Sequence, residues 1–247
     1  MDIKTTLHYY LYMSYRDFNY TPYYEKMLEM ETTPTPTPTP ITDKNEERAI
    51  NNLYIKTELN RPVAFLKIYI DNTLPNYEQV LALYTDAVLK HNRAVLDDPL
   101  PNSGFDLFFL EKTVFGGGGD DALPFQNKMC NFHLKMEMDY FDGHMEYPTG
   151  FYLYPRSSIC KTPLMLSNHV GIIDMSYRGF VMGAFRCFDA SYVVEENTRL
   201  LQICHPSLCP IYVYIVEKET DLELNTTRGT GGFGSTGVSL PVANNIV

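Results

Sequence analysis

The chain has 247 residues, 45% hydrophobic and 13% aromatic, enough to bury a core in one or two domains and too apolar for a chain disordered throughout. Its formal net charge of −10 argues against general binding to nucleic acid or an acidic membrane, because a phosphate backbone would be repelled unless positive charge were gathered in one patch. No charged-then-apolar leader pattern opens the sequence and no apolar run approaches the ~20 residues that cross a bilayer, so the expectation is a soluble, intracellular protein.

Residues 1–31 form a Tyr- and Met-rich extension that runs into TPTPTPTP from Thr33 to Pro40. Alternating proline favours an extended backbone without internal hydrogen bonds, so 32–61 read as linker and connector, with a short helix over NEERAINN at 45–52. Nothing in this region suggests chemistry. It is read either as a docking arm for an unknown partner or, more simply, as a poorly ordered extension.

From Pro62 onward the pattern is mainly strands. VAFLKIYI at 63–70 is rich in β-branched and aromatic residues, and NFHLKMEM at 131–138 alternates, with Phe132, Leu134, Met136 and Met138 on one face. IYVYIV at 211–216 is another strand. Only 76–92 has helical spacing, through Tyr77, Val80, Leu81, Tyr84 and Val88. Many short strands with Gly and Pro turns predict an all-β sandwich or barrel with one inserted helix, and GGGGDD at 116–121 reads as a surface loop. The five cysteines form no CxxC pair and read as buried free thiols, and the six scattered histidines offer no zinc spacing.

Five segments carry unusual residue sets. SGFDLFF at 103–109 places Asp106 among apolar neighbours, where a carboxylate needs a partner. YPRSS at 154–158 sets Arg156 beside Ser157 and Ser158, a possible anion-binding corner. In NHVGIIDMSYRG at 168–179 an apolar strand closes on Asp174, and Tyr177 and Gly179 mark a short turn into RGFVMGAF, which predicts a hairpin with backbone groups free to read a base edge. ENTRLLQI at 196–203 carries Arg199 and Gln202.

The fifth segment, RGTGGFGSTG at 228–237, combines five glycines with Arg228, Phe233, Ser235 and Thr236. Glycine lets backbone N–H groups approach phosphate oxygens, arginine adds a forked cation, and the aromatic could cover a planar base. Gly229, Gly231 and Gly234 spell GxGxxG, but only ten residues follow Gly237, too few for the helix and strand of a dinucleotide-binding unit, and no lysine completes a Walker-type loop.

Taken in order, SGFDL, PRSS, NHVGIIDMSYRG, TRLLQ and RGTGGFGSTG resemble the five motifs of the trimeric dUTPase family over residues 62–240. The resemblance implies a distorted β-barrel or jelly roll of the β-clip type, with the domain at 62–227 and a glycine-rich arm at 228–247. It also implies a hydrolase acting in nucleotide metabolism, which cleaves dUTP to dUMP and pyrophosphate with Mg2+ and supplies dUMP for thymidylate synthesis. By that likeness Asp174 activates the water. Tyr177 lies under the deoxyribose and excludes a 2′-hydroxyl, while Asn168, Gly171, Ile172 and Ile173 pair with uracil and Met182 joins these contacts. Arg156, Ser157, Ser158 and Gln202 hold phosphates, and Arg228 with Gly234, Ser235 and Thr236 closes on them as Phe233 stacks on the base. Asp106 meets Mg2+ through its waters, and Arg199 supports the loop or a subunit contact.

The resemblance also implies a homotrimer with shared sites, the arm being lent to a neighbour. The departures are residues 1–61, which have no counterpart in the minimal family domain, the helical 76–92 segment between the first strand and the first motif, Ser103 where alanine is usual, and Asn197 where glycine is common. A dCTP deaminase shares the fold and an RSS motif, but RSSICK supplies Lys161 in place of the second arginine and RGFVMGAF supplies no acid. The remaining alternative is a non-catalytic trimeric protein of the same fold, against which the joint presence of Asp174, Tyr177, Arg228 and Phe233 argues.

Overall fold

The computed structural model describes residues 44–116 and 127–232. The extension at 1–31, the Thr-Pro repeat, most of the GGGGDD loop and the arm residues Phe233, Gly234, Ser235 and Thr236 lie outside the described residues. Two compact units divide the chain after Glu58. Helix α1 spans Lys44–Leu59, longer than the predicted 45–52.

In the second unit strand β1, Val63–Ile70, and helix α2, Tyr77–Asp97, fall where hydrophobic periodicity places them, the helix running five residues past the predicted end. Thirteen strands make the unit mainly β: β2 Gly104–Leu107, β3 Thr113–Phe115, β4 Asn127–Asn131, β5 Leu134–Phe141, β6 Glu146–Thr149, β7 Phe151–Pro155, β8 Leu164–Leu166, β9 Gly171–Ile173, β10 Met182–Cys187, β11 Tyr192–Val194, β12 Leu201–Cys204 and β13 Ile211–Val216, after β1. They form four sheets, ordered β13-β1-β5-β6, β4-β10-β8, β11-β3 and β2-β12-β7-β9. The all-β expectation with one inserted helix is met, and no ladder among the described residues closes on itself.

One apolar core joins α2 to the sheets. Val80, Tyr84 and Val88 recur at four-residue spacing and are buried, as are Leu66 and Ile68 of β1. Burying a side chain of this size contributes about 1.5–3 kcal/mol. The wholly buried Tyr84 hydroxyl is satisfied by accepting the Phe108 N–H at 3.2 Å. Strand β13 pairs in parallel with β1 and is an edge strand, and α2 covers its outer side. The Asn92 amide donates to the Val213 carbonyl at 2.8 Å and accepts the Val213 N–H at 2.9 Å, filling a gap in the ladder that would otherwise invite another strand.

The run NFHLKMEM does not form one strand. His133 takes a left-handed conformation (φ 54°) and separates β4 from β5, although Phe132, Leu134, Met136 and Met138 are all buried as predicted. Three cysteines, Cys130, Cys187 and Cys204, are buried free thiols, whereas Cys160 is exposed. Burial pushes Cys130 and Cys204 up to about 11, so both stay protonated at neutral pH.

Candidate functional site

The sheet β2-β12-β7-β9 carries both clusters of chemistry-bearing residues. At one end of β7, Asp106 of β2 lies beside Gln202 of β12, which pairs in turn with Tyr154 of β7. Arg156 leaves β7 with its N–H bonded to Leu200 O at 2.8 Å, and its Nε lies 2.6 Å from Asp106 Oδ1. Arg199 approaches the other carboxylate oxygen at 3.1 Å. The partner that Asp106 requires is thus a pair of arginines. Arg156 and Ser158 both donate to the Arg199 carbonyl, at 3.1 and 3.2 Å, and Ser157 is exposed on the short turn Ser157–Lys161. Gly104 leaves room for Gln202: a Cβ there would lie 2.2 Å from Gln202 Oε1.

The loop entering this corner turns on Asn197, whose φ is 63° and whose N–H donates to Phe109 O at 2.7 Å. Asparagine tolerates the left-handed region better than other side chains, which accounts for its standing at a position where glycine is common. Asn197→Gly is expected to keep the melting temperature within about 2 °C, whereas Asn197→Ala should cost roughly 1–2 kcal/mol in a urea melt.

At the other end of β7 the backbone leads to Asp174. Strand β9 pairs with β7 alone, Phe151 opposite Ile173, and forms the edge of the sheet. The predicted hairpin is not formed: β10 belongs to a different sheet, paired with β4 and β8, and residues 174–181 carry the chain from one sheet to the other. The short connection was compatible with a hairpin, but burial of Arg178 and a bond from Val181 N–H to Leu134 O at 2.8 Å pull the segment away from β9. The outer edge of β9 is therefore left without a strand partner among the described residues, and Ile172 is 70% exposed.

An open cleft of about 680 Å³ lies along this edge, lined by Gly150, Tyr152, Ile172, Ile173, Asp174 and Arg228 among others. The Arg228 guanidinium pairs with the Asp174 carboxylate at the cleft wall. Tyr177 donates its hydroxyl to Phe180 O at 2.9 Å, and its ring presses so closely on Gly179 that a Cβ there would lie 2.4 Å from the phenolic oxygen. Burial pushes the Tyr177 hydroxyl up, with Arg228 pulling the other way, so it remains a phenol and a donor.

The arm root is docked on this turn. Gly229 bridges Tyr177, Arg178 N–H donates to Gly229 O at 2.7 Å, and Thr226 donates its hydroxyl to Ser176 O at 2.6 Å. Gly229 takes a φ of 55°, which its missing side chain permits. Whereas the family resemblance assigns the arm to a neighbour, the described root through Gly232 lies against its own chain, and Gly232 faces the Tyr177 ring.

Two residues that sequence reasoning passed over hold this turn. Arg178 is 5% exposed and pairs at 2.8 Å with Glu137, itself 7% exposed in the middle of β5, and Lys67 meets the same carboxylate at 2.5 Å. Burial pushes the Glu137 carboxyl up, but Lys67, the Glu223 N–H and Arg178 outweigh it and hold the group below its ordinary value. A carboxyl depressed in the folded state stabilises above its unfolded pKa of about 4.3 and loses that contribution as pH falls through the lower folded value. The urea midpoint is thus expected to fall with pH below about 4.3, and Glu137→Gln should flatten that slope.

The remaining predicted residues are scattered. Asn168 is exposed in the turn between β8 and β9, while Met182 begins β10, half-buried opposite Asn131, and does not line the cleft. The two clusters lie at opposite ends of β7: Arg156 stands five positions beyond Phe151, which is opposite Ile173, about 16 Å of backbone at strand spacing. No group of three or more His, Cys, Asp or Glu that could hold a metal occurs among the described residues. No described helix is long and apolar enough to cross a membrane.

The chain is similar to the deoxyuridine 5′-triphosphate nucleotidohydrolase of Escherichia phage T5, with 36% identity over 96 residues, covering 38% of this chain and 63% of that protein. The enzyme of the same name from Chlamydia pneumoniae is 35% identical over 100 residues, covering 38% and 66%. The chain is a relative of the dUTPases. It spans less than two thirds of the length of these dUTPases, and no family model matches it. Among solved structures, a dUTPase of phage phi11 of S. aureus described with a structural Mg(II) ion aligns over 42% of this chain and 75% of that one, at 15% identity and a TM-score of 0.32.

Proposed function

We propose that the protein hydrolyses dUTP to dUMP and pyrophosphate by water attack on the α-phosphorus. The observation that carries this reading is the convergence of the Asp174 carboxylate and Arg228, at the root of the glycine-rich arm, on one cleft beside the open edge of β9, with Tyr177 bridged to the adjoining Gly229. Its support is the dUTPase likeness together with that geometry.

In this reading uracil lies along Gly171, Ile172 and Ile173 near Asn168, where fixed backbone donors and acceptors reject cytosine because mispairing strands buried polar groups. Tyr177 packs beneath deoxyribose. Asp174 takes the proton from the attacking water, and Arg228, drawn off Asp174 by the γ-phosphate, leaves that carboxylate free as the arm closes with Phe233 over the base. Arg156, Ser157, Ser158 and Gln202 neutralise and orient the phosphates, the positional and electrostatic catalysis that phosphoryl chemistry requires.

In this reading the Asp174 cleft and the Arg156 corner, at opposite ends of β7, serve phosphate chains bound at different sites. The proposed site is therefore completed by other copies in a homotrimer. Mg2+ on the triphosphate would draw charge from the phosphates. Asp106 fits an outer-sphere contact to it: two of a carboxylate's roughly four lone-pair directions meet Arg156 and Arg199, leaving others for metal-bound water.

The test follows phosphate chemistry and nitrogen together. Pyrophosphate released from dUTP with Mg2+, slowed by EDTA, is expected. Ammonia from dCTP would support the deaminase reading instead, and a trimer without turnover would support the non-catalytic one.

A further inference from the structure

The motif arginine Arg178 has no part in the chemistry above, yet it is the most heavily engaged side chain near the cleft. Its Nε donates to Glu223 O at 2.7 Å, one terminal nitrogen donates to Met175 O and Tyr177 O, both at 2.9 Å, and the other meets Glu137 Oε2 at 2.8 Å. Its own N–H donates to Gly229 O at 2.7 Å. Glu137 accepts the Glu223 N–H at 2.7 Å through the oxygen that meets Arg178.

These partners are not a random set. Met175 and Tyr177 flank the turn that follows Asp174, while Glu223 and Gly229 bracket the segment that delivers Arg228. A planar guanidinium with five donors in a fixed fork can hold both at once, whereas an ammonium offers donors from a single point. Burial makes the arrangement demanding, because each donor withdrawn from its acceptor stays unpaired away from water. Two segments about fifty residues apart in sequence are thus clamped to the centre of β5 by one ion pair.

We infer that Arg178, held by Glu137, is a positioning residue that sets the register between the Asp174–Tyr177 turn and the arm root, and so the placement of Arg228. The inference rests on the dUTP reading for its catalytic consequence, but its positional core stands apart from turnover.

Arg178→Lys and the nearly isosteric Glu137→Gln are compared with wild type by site-resolved amide exchange, and by dUTP kinetics with and without Arg228→Ala. Exchange at residue 178 and at Gly231 is expected to accelerate more than tenfold in either variant, with β1 amides within twofold. The loss in kcat/KM, about tenfold or more in the full chain, should shrink below twofold once Arg228 is alanine, because Arg178 acts through it. Unchanged exchange at the arm root would overturn the inference, as would an equal loss with and without Arg228, the mark of a general structural role. A wild-type chain that leaves dUTP intact would remove the functional reading, and the exchange result would still decide the positional one.

Discussion

Asp174→Asn is expected to lower kcat for dUTP by at least ~100-fold while leaving dUTP affinity within about tenfold. Asparagine keeps the shape of the side chain but cannot take a proton from water. The substitution also removes the charge that pairs with Arg228, so the arginine is released toward phosphate and ground-state binding is spared. Steady-state pyrophosphate release gives the rate, and calorimetric titration with a non-hydrolysable dUTP analogue gives the affinity. Unchanged turnover would take the base away from Asp174.

Ending the chain after Thr227 is expected to produce the opposite separation of stability from activity. Among the described residues the apolar core draws none from the arm, and Arg228 and Thr230 are exposed, so the melting temperature should stay within about 4 °C, a change on the order of 1 kcal/mol for a domain of this size. Turnover should fall at least ~100-fold, because the truncation removes Arg228, the glycine backbone donors and Phe233 together. Losing Gly229 also frees the Arg178 N–H, which adds a small local cost. A truncated chain with the normal rate would refute a closing role for the arm.

Much of the fold was legible because it rests on local periodicity. β1, β13 and α2 follow from apolar spacing that neighbouring elements only reinforce. The break at His133 was not legible, since a single left-handed residue leaves the alternation of its neighbours intact. The hairpin expected across residues 174–181 failed for a related reason: connection length constrains which strands can pair, but the buried Arg178 decides which ones do.

The site shows the same division. Asp106 was recognisable as a carboxylate needing a partner, yet nothing in sequence joins it to Arg156 and Arg199, which converge through pairing of β2, β12 and β7. Glu137 was hidden by its setting, as an acid on the polar phase of an alternating strand reads as solvent-facing. The available signal was Arg178 itself, an arginine fixed between the turn's tyrosine and a glycine too crowded for any side chain. Asn197, noted only as a departure, proved to be the substitution best explained by backbone conformation.

Hydrolysis of dUTP in H₂¹⁸O with Mg2+, followed by mass analysis of both products, tests the proposed chemistry most directly. Attack on the α-phosphorus by water activated at Asp174 places one ¹⁸O in dUMP and none in pyrophosphate. Label in pyrophosphate, or dUTP left intact, would contradict it.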